Sequence, residues 1–266
     1  VPAGPMSTGI TNEKKNLVRK AFAKGDATRE ELLKAETSAY HGEGTCTFFG
    51  TANSNQMLME IMGLHIPGSA FVHPHSDLRN AYNIVATEQA ILISRKGNDI
   101  RPIGKIIDER SFVNAIIGLH ATGGSTNHTL HLPAMAAAAG IRLLWEDFSD
   151  LSEITPLLAR VYPNGKADVN QFHAAGGMSF IIGELLDAGL LDGTAKTVWG
   201  ENLFDYVSEA TLKNSQLIWT KLKPKSFDSS ILKTVADPHQ KNGGLKMLKG
   251  NIGKGVIKIS AVSIDQ

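Results

Sequence analysis

Apolar residues recur at helical spacing through most of this chain and alternate at strand spacing only near its C-terminal end. Leu17, Val18, Ala21 and Phe22 share one face of a predicted helix over 12–24, which Gly25-Asp26 stops. Thr28 and Glu31 have the spacing of a capping box and open a helix to about Tyr40. Met57, Leu58, Ile61 and Met62 then form one helical face. Asn53 or Ser54 is the expected cap, and Gly63 suits the left-handed residue that ends a helix. A helix over 77–96 begins at Ser76-Asp77, carries Leu78, Ala81, Tyr82, Val85, Gln89 and Leu92, and ends at Gly97.

Beyond a loop over 100–110, an apolar helix is expected over 111–120, and Ser125 or Thr126 should cap another that runs to Gly140. Pro133 sits inside that helix and removes the bond to the Thr129 carbonyl, so a kink is expected. Residues 141–145 read as a short buried strand, and a helix from Asp147 should end near 162–165. Helix 178–188 buries Ile181, Ile182, Leu185 and Leu186 and stops at Gly189. From 197 to 240 the pattern weakens, with a solvated basic loop at 221–225; Val256, Ile257, Ile259 and Val262 then give β-branched alternation. Long helices with few short strands predict a layered α/β domain, with a mostly helical domain as the alternative. The change of character places a domain boundary near 242. No internal repeat is evident.

Composition narrows the class. The chain has 266 residues, 42% hydrophobic and 20% charged, as in an ordinary globular protein. A formal net charge of +1 argues against nucleic-acid binding through bulk charge. The single cysteine rules out an intrachain disulfide and fits a reducing, cytoplasmic setting. No apolar run of about 18 residues is present, so no membrane span is expected. The chain starts Val1-Pro2-Ala3 without an initiator methionine and ends in a strand-like run, so it reads as a piece of a longer protein. The proline- and glycine-rich residues 1–9 read as a loop.

Two stretches carry candidate chemistry. Cys46 lies in G-T-C-T-F-F-G, a small, polar, glycine-flanked loop just before a helix N-terminus, where unpaired amides favour a thiolate. A lone cysteine is also often just a small buried hydrophobe, and both readings stand. The second stretch is A-T-G-G-S-T-N-H at 121–128, a glycine turn feeding a helix start. Such a turn offers N–H donors to an anion, although a plain capping loop has the same composition. It is neither a Walker loop nor a dinucleotide fingerprint. His73 and His75 flank a proline and have no third ligand nearby, which disfavours a metal site. His173 reads as a capping or packing residue.

Taken together, G-T-C-T-F-F-G-T-A-N-S-N-Q-M, I-P-G-S, A-T-G-G-S-T-N-H-T-L-H-L, V-P-A-G-P-M and G-N-I-G-K-G-V-I-K-I-S-A-V closely resemble, in order, the dehydratase family of dihydroxy-acid and 6-phosphogluconate dehydratases. The likeness spans essentially the whole chain. Thr47-Phe48-Phe49-Gly50 after the cysteine, His128, and Y-P-N-G-K-A-D-V-N at 162–170 look like the 6-phosphogluconate branch.

The resemblance implies a layered α/β/α domain over 1–241 and the start of a β-rich, barrel-like domain over 242–266. It implies dehydration of 6-phospho-D-gluconate in the Entner–Doudoroff route, with an iron–sulfur cluster as Lewis acid and a base taking the proton. Cys46 matches one of three cluster cysteines, the cluster being four-iron rather than two-iron. Gly123, Gly124, Ser125, Thr126 and Asn127 become candidates for the substrate or phosphate pocket. Magnesium and a homodimer also belong to the family picture. The other cluster cysteines and the base, a serine, match nothing here, so the chain alone should be inactive and hold no intact cluster. The rivals are a dihydroxy-acid dehydratase of branched-chain amino-acid synthesis, a non-catalytic sugar-phosphate binder, and a thiol enzyme using Cys46 as nucleophile.

Overall fold

The computed structural model describes residues 10–39, 44, 46–221 and 225–262. The loop at 1–9, the helix end at Tyr40 and the middle of the basic loop at 221–225 lie outside these residues.

Two short helices open the described chain. Helix α1 (Asn12–Lys24) is capped by Thr11, whose hydroxyl accepts the Lys14 N–H, and closed by Gly25 at φ +85°. Helix α2 (Arg29–Thr37) starts with the capping box expected of Thr28 and Glu31. Arg19 and Glu36 pair between them, Nη2 to Oε2 at 2.8 Å. The predicted inward face of α1 is not inward: Leu17 is 60% exposed and Phe22 41%, whereas Asn12 and Lys15 are buried. Instead α1 turns its polar edge to the Cys46 loop, where Asn12 Nδ2 donates to Thr47 Oγ1 at 3.4 Å.

The core forms around α3 (Thr51–Ile61), α6 (Glu109–Thr122) and α10 (Gly177–Asp187). Met57, Leu58, Ile61 and Met62 are buried as their spacing requires. Gly118 lets α6 approach α3, since a Cβ there would sit 2.6 Å from Ile61 Cδ1. Ile181, Ile182 and Leu185 are buried on α10, and Leu186 is half-buried. Gly63 and Gly189 take the left-handed conformation expected of helix-ending glycines.

Peripheral helices are α4 (Asp77–Ile93), the single turn α5 (Ile103–Ile106), α7 (His128–Ala138), α8 (Trp145–Ile154) and α9 (Val169–Ala174). Several boundaries differ from expectation. Helix α4 stops at Ile93, before Gly97, and buries only Ala81 and Tyr82. Asp108 starts α6 with a capping box to Ser111, inside the segment read as loop. Residues 141–144 are extended but have no strand to pair with, and Trp145 opens α8 instead. Helix α8 ends at Ile154, not near 162–165, because Thr155-Pro156 cannot extend it. The chain then runs extended, with bridges from Leu157 to Gln240 and Ala159 to Leu232.

Among the described residues, named strands form two separate antiparallel pairs. β1 (Ser208–Lys213) and β2 (Gln216–Lys221) meet through a turn at Asn214-Ser215, where both residues have positive φ. β3 (Lys246–Lys249) pairs with β4 (Lys254–Ile257). The expectation of mixed helix and strand holds in this coarse form. The strands lie apart rather than in one sheet between helical layers. The β3–β4 ribbon is tied to α8 by the pairs Lys246–Glu153 and Lys254–Glu146. Gly243 N–H donates to Ser152 O at 2.9 Å, and Gly244 N–H to His120 O at 3.0 Å. No helix among the described residues is long and apolar enough to cross a membrane.

Candidate active site

The two motif stretches meet on the first turn of α3. Gly50 is its N-cap, without a side-chain cap, and Asn53 and Ser54 lie inside the helix rather than capping it. Their side chains have other partners. Asn53 Nδ2 donates back to the carbonyls of Cys46 and Phe48, pinning the cysteine loop to the helix. The next residue, Ser54, faces the other motif: its Oγ accepts the Ser125 N–H at 3.2 Å and lies 2.8 Å from His128 Nε2. Thr51 Oγ1 lies 2.9 Å from Ser125 Oγ and accepts from Asn127 Nδ2 at 2.9 Å. One helical turn thus holds the Cys46 loop on one side and the 123–127 loop on the other.

Cys46 is partly buried. Burial raises its thiol above the ordinary value; a hydrogen bond with its own backbone and the charge of the buried Lys15 oppose this. The thiolate expected from the helix terminus is therefore not favoured in this chain by itself.

The glycines have a packing reason. Gly123 closes α6 at φ +60°, and a Cβ there would meet Asn164 Nδ2 at 2.4 Å and Ser260 Oγ at 2.8 Å. A Cβ on Gly124 would meet Leu119 Cδ1 at 2.6 Å and Ser54 Cβ at 3.1 Å. Asn164 Nδ2 donates to Gly123 O at 2.7 Å, and Ser260 Oγ to Asn164 Oδ1 at 3.0 Å. The expected cap of α7 is corrected: Asn127 holds the N-cap position, while Ser125 Oγ accepts the Asn127 N–H at 3.2 Å. Thr126 serves through its backbone, its carbonyl accepting from Thr129.

His128 is fully buried, and burial, with His131 adding to it, pushes it down to about 4, so it is a neutral imidazole near pH 7. Sequence reading placed Ser54 as a cap and gave His128 no site role. Asn164, Lys258 and Ser260 stand in the family-like stretches at 162–170 and 250–262, but nothing in those stretches tied them to the 123–127 loop, where Asn164 and Ser260 are brought by tertiary contacts.

Among the described residues, no three His, Cys, Asp or Glu side chains converge as a metal site. His73 and His75 have ring centroids 5.8 Å apart, with the His75 N–H donating to His73 Nδ1. Cys46 supplies one thiol, so these residues by themselves make neither an iron–sulfur nor a magnesium site. A cavity of about 330 Å³ lies elsewhere, between the far end of α3, α4 and β1. Glu60 on its wall accepts the Gly68 and Ala70 N–H groups at 2.8 and 2.9 Å, and burial pushes it up to about 7.

Comparison with known proteins gives a consistent picture. Residues 1–206 match the family model described as dihydroxy-acid/6-phosphogluconate dehydratase N-terminal. The phosphogluconate dehydratase of Rhizobium meliloti (strain 1021) is 58% identical over 263 residues, covering 98% of this chain and 43% of that protein. That of Escherichia coli (strain K12) is 50% identical over 265 residues, covering 100% of this chain and 44% of that protein. A dihydroxy-acid dehydratase of Caldanaerobacter subterraneus is 33% identical over 272 residues, 99% of this chain and 46% of that protein. The chain spans less than half the length of these relatives. With the family model matched over most of its length, the chain belongs to the dihydroxy-acid/6-phosphogluconate dehydratase family.

Proposed function

We propose that the whole protein is a hydro-lyase that converts 6-phospho-D-gluconate to 2-dehydro-3-deoxy-6-phospho-D-gluconate, as in the Entner–Doudoroff route. The observation that carries this reading is the likeness to phosphogluconate dehydratases, at 50% identity or more along the whole chain, against 33% to the dihydroxy-acid dehydratase. The convergence of the Cys46 loop and the 123–127 loop on one turn of α3 supports it, since two stretches far apart in sequence are held by neighbouring polar residues of one helix.

On this reading Cys46 gives one thiolate to an iron–sulfur cluster of the four-iron type, completed by cysteines elsewhere in the whole protein. Magnesium would likewise find its ligands there. Gly123 and Gly124 allow the loop to lie close against α3, while Ser125, Thr126 and Asn127 face the substrate. The whole protein would be a cytoplasmic homodimer. Its layered α/β/α domain and barrel-like C-terminal domain would be completed by the remaining length. This chain alone lacks the base and the other cluster ligands and would be inactive.

The test is turnover by the full-length protein, purified without oxygen, on 6-phospho-D-gluconate and on a branched-chain 2,3-dihydroxy acid. Formation of a 2-keto acid from the sugar acid alone is expected. Preference for the branched-chain acid, or no turnover of either, would overturn the reading. Cys46→Ser should lower bound iron together with activity; full activity in that variant would remove Cys46 from the site.

A further inference from the structure

The loop at 123–127 has a cationic neighbour, Lys258, supplied by the last of the family-like stretches, G-N-I-G-K-G-V-I-K-I-S-A-V. Lys258 follows β4 and stands two residues before Ser260, which reaches into the loop through Asn164 and also donates to Gly244 O at 3.2 Å. Gly244 packs against Gly123 so closely that a Cβ on it would lie 2.6 Å from Gly123 Cα. The 258–260 segment therefore lies over the glycine turn. Lys258 is partly buried there, and among the described residues its ammonium makes no hydrogen bond or ion pair. Burial pushes it down to about 8, and its charge reaches His128, where it disfavours the imidazolium.

His128 has a complementary vacancy. Its ring is fully buried, Nε2 is 2.8 Å from Ser54 Oγ, and Nδ1 has no partner among the described residues. A buried polar atom left unsatisfied in this way costs free energy that a ligand can recover. The Ser54 hydroxyl has two acceptors at equal reach, Gly50 O at 2.8 Å and His128 Nε2 at 2.8 Å. When it turns to Nε2, the imidazole carries its proton on Nδ1 and becomes a neutral donor.

We propose that Lys258 and the Nδ1–H of His128, flanked by the Ser125 and Asn127 side chains, form the seat for the phosphate group of the substrate. An unpaired, partly desolvated ammonium beside an unsatisfied buried donor is complementary to a compact multivalent oxyanion. The identity of the ligand rests on the proposed dehydratase reading; the existence of an oxyanion seat does not.

The experiment uses the full-length protein with Lys258→Gln and Lys258→Arg. Binding of inorganic phosphate is measured by calorimetry, and KM and kcat are measured with 6-phospho-D-gluconate. Lys258→Gln should weaken phosphate binding and raise KM by about ten-fold or more, as expected for loss of a charge-assisted contact, with kcat moving far less. Lys258→Arg should recover most of the phosphate affinity. D-gluconate, which lacks the phosphate, should inhibit wild type and Lys258→Gln equally.

Unchanged phosphate affinity in Lys258→Gln overturns the proposal, and so does that result accompanied by a lowered melting temperature, which would mark an ion pair with another part of the protein. Equal weakening for D-gluconate would assign Lys258 to the carboxylate and also overturn it. Failure of wild type to turn over 6-phospho-D-gluconate, with Lys258-dependent phosphate binding intact, would sink the dehydratase reading and leave the seat standing.

Discussion

The Trp145 indole N–H donates to the Thr129 carbonyl at 2.9 Å. That carbonyl is the one Pro133 deprives of its helical donor, so the start of α8 repairs a defect in the middle of α7. Trp145→Phe should lower stability by about 1–2 kcal/mol, the cost of leaving a carbonyl unpaired. In a Pro133→Ala background the loss should shrink, because the restored amide at position 133 takes the same carbonyl. A double-mutant cycle by urea denaturation measures the coupling; additive effects would show that the two groups do not share that acceptor.

Ser54 is the hinge between the two motif loops. Ser54→Ala removes the acceptor of the Ser125 N–H and the partner of His128 Nε2. The buried His128 ring, whose Nδ1 already has no partner among the described residues, would then lose its side-chain partner as well. The variant should be destabilised by about 1–3 kcal/mol. On the proposed reading, the full-length protein should lose activity while keeping its iron. Thermal melting, iron analysis and the dehydration assay separate these effects.

Gly123→Ala combines a left-handed backbone position with a clash against Asn164 and Ser260. A cost of about 2–4 kcal/mol is expected, above the usual penalty for alanine at positive φ, because the neighbours are themselves hydrogen-bonded. Hydrogen exchange should show faster exchange around Gly244 and Ser260, where the 258–260 segment would detach. Unchanged protection there would contradict the packing described.

Acid should weaken the fold in a defined window. Burial chiefly pushes His65, His120 and His128 down to about 4 from an ordinary 6.5. Between these values the unfolded chain binds more protons, so stability falls as pH drops from about 6.5 to about 4. Glu60 works the other way. With its carboxyl raised to about 7, the folded state binds more protons between 4.5 and 7, and stability falls as pH rises through that range. Three imidazoles oppose one carboxyl, so the net trend on acidification is loss.

His120 Nε2 is 2.9 Å from Phe148 O, a contact that a glutamine can keep without titrating. His120→Gln should flatten the trend between pH 6.5 and 4.5 by about half, because Glu60 already cancels one of the three imidazoles. Urea midpoints at these two pH values check it; an unchanged slope would mean His120 is not held neutral.

Much of the local structure was legible in the residues themselves. Thr28 with Glu31, the Met57–Met62 face, Gly63, Gly189 and the α10 core follow from capping chemistry and periodicity, which act within one or two turns. The carbonyl orphaned by Pro133 was equally predictable, but its partner was not. Where reading failed, a distant group had won. Asn53 and Ser54 have the right chemistry for caps, yet Asn53 bonds the Cys46 and Phe48 carbonyls and Ser54 the Ser125 amide and His128. Residues 141–144 have strand composition but no neighbour to pair with.

The sequence by itself determined the family, through motifs whose order along the chain is specific, and it determined most helices, through patterns that repeat every few residues. The tertiary structure alone decided that the two motif loops share one turn of α3, that Gly123 and Gly124 are needed for close packing, and that the segment ending in Ser260 lies against them. Those relations join positions as far apart in sequence as Gly123 and Ser260, where no local propensity acts and only packing and hydrogen-bond satisfaction choose the partner.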